Sequence, residues 1–341
     1  MFAGRTKPLT DQPEPAARAP GRNWARDRVE IDCVVPSDLA GERFDRAAAR
    51  LFTAISRSEL AGWIRAGHLT LDGHAVKAST PVAGGERMQG RIERPARFDW
   101  DTAEKLAFKV VHQDTDVIVV DKPAGLVVHP GAGQPRGTLV NGLLHLFPSL
   151  AILPRAGLVH RLDKDTSGLM VVAANAESLL RLGEAMRERR IERRYLAVVE
   201  GALDADRVID APIGRHPRQR TRQAVREDGR PAVTHVRVRE RFAQHSLVEA
   251  RLETGRTHQI RVHFAHIGRP LVGDGRYGAD GRVPFGAPPG RAKFIRAFPR
   301  QALHAHHLSF AHPRLGTRMR FDSPLPEDIS DLLKALREAT S

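Results

Sequence analysis

The chain has 341 residues, room for two domains of which one holds a large core. Lysine and arginine number 54 against 40 aspartates and glutamates, and the resulting charge of +14 points to a polyanionic partner. The single cysteine, Cys33, excludes an intramolecular disulfide and a cysteine metal cluster, and no apolar run approaches the ~20 residues that span a bilayer.

The N-terminus has no signal-peptide core, so the expected location is cytoplasmic. Residues 1–28 carry Pro13, Pro15, Pro20 and scattered arginines, and read as a disordered basic tail. A compact unit is expected over residues 31–95. In it Phe44, Ala47, Ala48 and Leu51 recur at helical spacing. Ser56 and Glu59 form a capping box before a second helix that buries Leu60, Trp63 and Ile64 and leaves Arg57 and Arg65 free. His68 to His74 reads as a strand entering an Asp-Gly turn, the start of a small hairpin.

An Arg- and Pro-rich linker, 91–100, leads to a larger domain over residues 105–341. Val110-Val-His and Asp116-Val-Ile-Val-Val suggest a hairpin, and a helix is expected from Thr138 to Phe147 after a glycine-rich loop. That loop lacks the Gly-Lys-Ser/Thr end of a nucleotide-binding P-loop. Leu169 to Ala174 is a short apolar run, hence a buried strand. Leu179, Leu182 and Met186 mark a helix, and Arg193 to Gly201 a strand. Ala232–Arg241 and Ser246–Glu253 alternate like two further strands, and Ile260, Phe264 and Ile267 share one helix face. Residues 278–300, rich in Gly, Pro and Arg, read as a surface insertion before closing strands at Leu303–Phe310 and Met319–Phe321 and a last helix, Pro326–Arg337.

The densest chemistry lies in His160-Arg-Leu-Asp-Lys-Asp-Thr-Ser-Gly-Leu169, a polar loop feeding the buried strand. Asp163-x-Asp165-x-Ser167-Gly168 matches half a calcium loop, but position twelve is Ala174 rather than a bidentate glutamate. Asp163-Lys164 suits a phosphorylated pump only if membrane helices accompany it. The histidines at 258, 263, 266, 304, 306 and 307 lack His-Glu-x-x-His spacing, so no metal is expected. On spacing alone, Asp163 beside Arg161 reads as a structural salt bridge, although the nearby positive charge would also keep it ionised, as a nucleophile or a base needs.

His-Arg-Leu-Asp-x-x-Thr-Ser-Gly-Leu resembles the signature of the RluA family of pseudouridine synthases. The likeness continues through Arg194-Tyr195, Leu252-Glu-Thr-Gly-Arg-Thr-His-Gln-Ile-Arg261 and Leu271-Val-Gly-Asp-x-x-Tyr277, covering residues 105–325. Residues around Arg43, Ser56, Arg57, Ser58, Arg65, Gly67 and Gly73 resemble the S4 RNA-binding domain. This module, with His216-Pro and Pro231-Ala-Val-Thr-His235, is similar to the subgroup acting on large-subunit ribosomal RNA. The resemblance implies an α+β fold: a mixed, mainly antiparallel curved sheet with flanking helices and a central cleft, plus the small S4-like module.

It implies equally that uridine in RNA is isomerised to its C-glycoside without a cofactor. Asp163 would be the catalytic carboxylate, Tyr195 the aromatic that stacks on the flipped uracil, and Arg256 the arginine that pairs with Asp163. Arg161 would fill the space the base leaves, while Arg43, Arg57 and Arg65 bind RNA. The partner would be ribosomal RNA, at the helix 69 stem-loop, the protein a monomer, and membranes uninvolved. Transfer RNA, another ribosomal site, or an inactive assembly factor remain open at this point, as does the choice between nucleophile and base for Asp163.

Overall fold

The computed structural model describes residues 28–52, 55, 57–93, 102–131, 134–278 and 281–338. The tail up to residue 27, Ser56 of the capping box and most of the linker lie outside these residues. The chain divides into two units, 1–98 and 99–341.

The N-terminal unit contains β1 (Arg28–Val34), α1 (Phe44–Leu51), α2 (Arg57–Arg65), β2 (Leu69–Leu71) and β3 (Arg87–Glu93). Phe44, Ala47 and Ala48 of α1 and Leu60 and Ile64 of α2 are buried together over Ile31, Leu69 and Met88 of the sheet. Strand β1 escaped the sequence reading; Ile31 points inward between exposed Glu30 and Asp32, a short alternation hidden among charges. The expected local hairpin is reduced to a bridge between Leu71 and His74 across Asp72 and Gly73, both at positive φ. Strand β2 instead pairs with β3, in the order β1-β3-β2.

The second unit begins with the hairpin β4 (Lys109–Gln113) and β5 (Val117–Lys122), then α3 (Leu139–Leu146). β6 (Ser167–Ala173), α4 (Ala176–Arg187) and β7 (Glu192–Glu200) follow. Next come β8 (Arg207–Asp210), β9 (Ile213–Arg215), β10 (Gln223–Val225), β11 (Val233–Arg241), β12 (His245–Leu252) and α5 (Gln259–His266). The chain ends with α6 (Pro289–Arg296), β13 (Leu303–Ala311), β14 (Arg318–Asp322) and α7 (Glu327–Glu338). Nine strands form one mainly antiparallel sheet, β4-β5-β6-β13-β7-β12-β11-β8, with β14 also on β13. The β6–β13 step is parallel.

All seven residues of β6 are buried, because helices and loops cover both faces there, and its sequence is accordingly an unbroken apolar run. On one face Val120, Met170, Val172, Tyr195, Ala197 and Ala250 pack with Leu139 and Leu143 of α3 and Ile260 and Phe264 of α5. On the other, Val119, Leu169 and Val171 meet Leu182 of α4. The segment 278–300 departs from the expected surface insertion: it folds α6 and buries Ile295 and Phe298 against Leu332 and Leu333 of α7. No helix among the described residues is long and apolar enough to cross a membrane.

Candidate active site

The loop that carries Asp163 is anchored from below. Lys122, fully buried at the end of β5, donates from Nζ to the carbonyl oxygens of Pro123 (2.8 Å), Leu126 (2.9 Å) and Lys164 (2.9 Å). Burial pushes its ammonium down to about 7, against the pull of Asp165 and Asp163. The Thr166 amide donates to the Asp163 carbonyl at 3.1 Å and closes the turn. Gly168 follows at φ +115°, where a Cβ would lie 2.3 Å from the Ala305 carbonyl oxygen. A glycine is therefore required for β6 to approach β13.

The Asp163 carboxylate receives two basic neighbours. Arg261 Nη1 donates to Oδ2 at 3.1 Å, and His258 Nε2 stands 3.8 Å from Oδ1. Arg261 also grips Asp274 through two parallel hydrogen bonds, 2.7 and 2.8 Å, while its guanidinium carbon lies 5.0 Å from the centre of the Tyr277 ring. The Tyr277 hydroxyl is 2.6 Å from His258 Nδ1 and accepts from the Gln223 amide at 3.0 Å. Burial opposes the Arg261 charge, yet Asp274 and Asp163 outweigh it and hold its pKa above the ordinary arginine value. Burial lowers His258 despite the nearby Asp163. The carboxylate is thus aimed and charge-paired, as a nucleophile or a base needs.

This corrects the assignment of Arg256. Its Nε donates to the Pro231 carbonyl at 3.0 Å, and Arg261 occupies the place beside Asp163. The cause is the turn before α5. Gln259 Oε1 accepts from Thr254 Oγ1 (2.8 Å) and from the Arg256 amide (3.0 Å), and His258 is left-handed at φ 57°. The chain reverses there, so the residue in the first turn of α5 reaches the carboxylate and the one before the reversal does not.

A cleft of about 900 Å³ opens above Asp163, lined also by His160, Arg161, Arg193, Tyr195 and Ile260. Tyr195 is 5 % exposed, and burial raises its phenol above the usual value. Arg161 is exposed, with Arg155 near it in the lining. Leu271 packs in the core and is absent from the lining. Arg43 and Arg57 belong to the other unit and share Asp45, at 3.1 and 2.9 Å. Burial would raise that carboxyl, but the two guanidinia keep it below its ordinary value. Arg65 ends α2 in solvent.

Sequence reasoning overlooked Arg261, His258, Asp274, Lys122 and Arg193. Arg261 and Asp274 were within reach, since each lies in a quoted motif and a buried carboxylate demands a cation. One group of described residues has metal-like spacing, Asp114, Asp116 and His312. Its oxygens are already engaged: Asp114 Oδ1 accepts two amides at 2.7 Å, and Asp116 Oδ2 accepts from Arg314 at 2.8 Å.

Residues 116–266 match the RNA pseudouridylate synthase family, and residues 42–87 match the S4 domain. The ribosomal large subunit pseudouridine synthase D of Xanthomonas campestris pv. campestris is 51% identical over 305 residues, 89% of this chain and 92% of that protein. The protein of the same name from Escherichia coli K12 is 45% identical over 313 residues, 91% and 95% of the two chains. Among solved structures, human RNA pseudouridylate synthase domain containing 4 aligns with a TM-score of 0.52 and 26% identity, over 67% of this chain and 92% of that one.

Proposed function

The chain belongs to the RNA pseudouridylate synthase family, an isomerase family, and carries an S4 RNA-binding domain; from that premise we propose that it modifies a uridine in large-subunit ribosomal RNA, in the helix 69 stem-loop. The observation that carries the reading is Asp163, clamped by Arg261 at a cleft that Tyr195 lines. The names of the relatives support the ribosomal target, and the net charge of +14 suits RNA.

In this reading the uridine leaves its stack and enters the cleft, since a stacked base cannot reach a half-buried carboxylate inside it. A loop lowers the cost, because its bases are already partly unstacked. Tyr195 stacks on the uracil, an interaction worth about 1–3 kcal/mol. Arg161, exposed at the cleft, fills the vacated position and meets the backbone. Asp163 acts at the sugar or the base while the N1–C1′ bond breaks, the base turns, and C5 joins C1′. Product and substrate are isomers, so the chemistry calls for no cofactor. Arg261 holds Asp163 in position, the role the motif alone assigned to Arg256. Arg43, Arg57 and Arg65 supply RNA contacts from the S4 domain, and the enzyme works as a monomer in the cytoplasm.

Pseudouridine-specific sequencing of ribosomal RNA from a strain lacking the gene tests the target. Loss of modification in the helix 69 loop is expected, with restoration by the wild-type gene. Persistence of every large-subunit site, with loss at a transfer RNA position instead, would refute the ribosomal assignment and keep the chemistry.

A further inference from the structure

Three arginines are buried among the described residues: Arg193, Arg261 and Arg300. Arg261 is paired with Asp274 and Asp163, and Arg300 with Asp328. Arg193, 7 % exposed, has no carboxylate and donates no hydrogen bond to any described residue; its Nε is sealed from solvent without a partner. A guanidinium taken out of water and left unpaired is costly, so its retention calls for a ligand.

Its position says which ligand. Arg193 stands two residues before Tyr195 on β7, so strand alternation puts both on one face, and both line the cleft above Asp163. Gly255, in the turn before α5, gives it room: a Cβ there would lie 2.9 Å from Arg193 Nη1. His160 lines the same cleft. Its Nε2 accepts the Val171 amide at 3.1 Å, which leaves the proton on Nδ1, and Nδ1 is buried without a partner. Burial, with Arg193 adding to it, pushes His160 down to about 3, so it remains a neutral donor. Arg193 Nε and His160 Nδ1 are themselves sealed from solvent, so the donors that can meet an acceptor edge in the cleft are the terminal nitrogens of Arg193. A backbone phosphate would be met by the exposed arginines, Arg155 and Arg161; the depth of Arg193 suits the base.

We propose that Arg193 is a catalytic residue: it donates to a carbonyl oxygen of the flipped uracil and carries the negative charge the base acquires when its bond to the sugar breaks. This rests on the functional reading above. As N1–C1′ breaks, its electron pair leaves with the base and spreads over N1 and the carbonyl oxygens, where the guanidinium stabilises it without giving up a proton. C5 then uses a pair to bond C1′, one proton leaves C5, one arrives at N1, and the atoms balance.

The test compares wild type, Arg193→Met and Arg193→Lys by single-turnover conversion of an RNA stem-loop, RNA affinity and thermal unfolding. Removing one such donor from a developing charge typically costs on the order of 10²–10³-fold in rate, and that loss is expected for Arg193→Met, with RNA affinity within about threefold of wild type. Its melting temperature should equal or exceed that of wild type, since an uncompensated buried charge is gone. Arg193→Lys should regain at least about tenfold of the lost rate. A Met variant with near-normal rate, one whose affinity falls as far as its rate, or one that melts lower overturns the inference. Wild type that converts no uridine overturns the functional reading and this inference together; an active wild type with an indifferent Arg193→Met overturns this inference alone.

Discussion

Arg43 and Arg57 in the N-terminal unit are about half exposed and share one carboxylate, Asp45, whereas Arg261 in the second unit is buried between Asp163 and Asp274. Arg193 is as buried as Arg261 and has no carboxylate at all. The same residue type therefore meets three environments. Hydrated guanidinia attract phosphate through a field that physiological salt screens within about 8 Å. A desolvated one keeps nearly its full interaction with whatever lies against it, and so can position a reacting group or receive a forming charge. Binding strength and chemical rate should consequently be separable by mutation, one unit at a time.

The widest separation is expected at the carboxylate. Asp163→Asn should lower conversion on the order of 10⁴-fold while RNA affinity stays within about threefold, read by single-turnover kinetics and filter binding. Retained activity would remove Asp163 from the mechanism and end the contrast between the units.

Next comes Arg261→Met, which strands the carboxylate of Asp274, 1 % exposed. A loss of about 3–5 kcal/mol in urea unfolding is expected, alongside lost activity. Arg256→Ala removes a hydrogen bond to a carbonyl and should unfold near the wild-type midpoint. If Arg256→Ala destabilised as much as Arg261→Met, the corrected pairing would be wrong. In the small unit, Arg57→Ala should weaken RNA binding and flatten its salt dependence by about one unit of slope, with a larger change in affinity than in rate. An unchanged slope would place Arg57 off the RNA.

The last comparison concerns pH. Lys122 sits near 7 in the folded chain and near 10.5 in the unfolded one. Below about 7 both forms carry the proton and the residue adds no slope. Between the two values the unfolded chain binds more protons, so stability from this group climbs as pH rises and is lost as pH falls through about 7. Urea titrations of wild type and Lys122→Met across that window should differ in slope; parallel curves would show that the three carbonyls keep the ammonium charged.

Much of the architecture was legible where periodicity was strong. The apolar run of β6, the alternation of β11 and the packing of Ile260 and Phe264 of α5 into the core are cases in point, whereas β12, read as alternating, is buried at six successive residues. Strands β8, β9 and β10, three or four residues each, carry too few positions for a period to show, and pairing across the sheet defines them. Helix α6 hid behind glycine and proline because its burial depends on α7, which lies far along the chain at Glu327–Glu338. At the site, the two residues the motif named, Asp163 and Tyr195, line one cleft. The motif could not choose between Arg256 and Arg261, since the choice turns on the left-handed His258 between them. Arg193 was visible in principle: two positions from Tyr195 means the same face of a strand.

The parallel step from β6 to β13 spans only two residue pairs, Ser167 with His304 and Ala305 with Gly168. On one bank of this seam hangs the loop of Asp163; on the other lie Tyr195 of β7 and, beyond β12, Arg261. The ion pair of the site is thus also a cross-tie, together with the Arg300 guanidinium donating to the Asp165 carbonyl at 3.0 Å. A parting of the two halves of the sheet is felt at once as a change in the spacing between carboxylate and guanidinium. Rigidity at the narrowest stitch of the sheet and the setting of the Asp163 carboxylate are, in this molecule, one mechanical property.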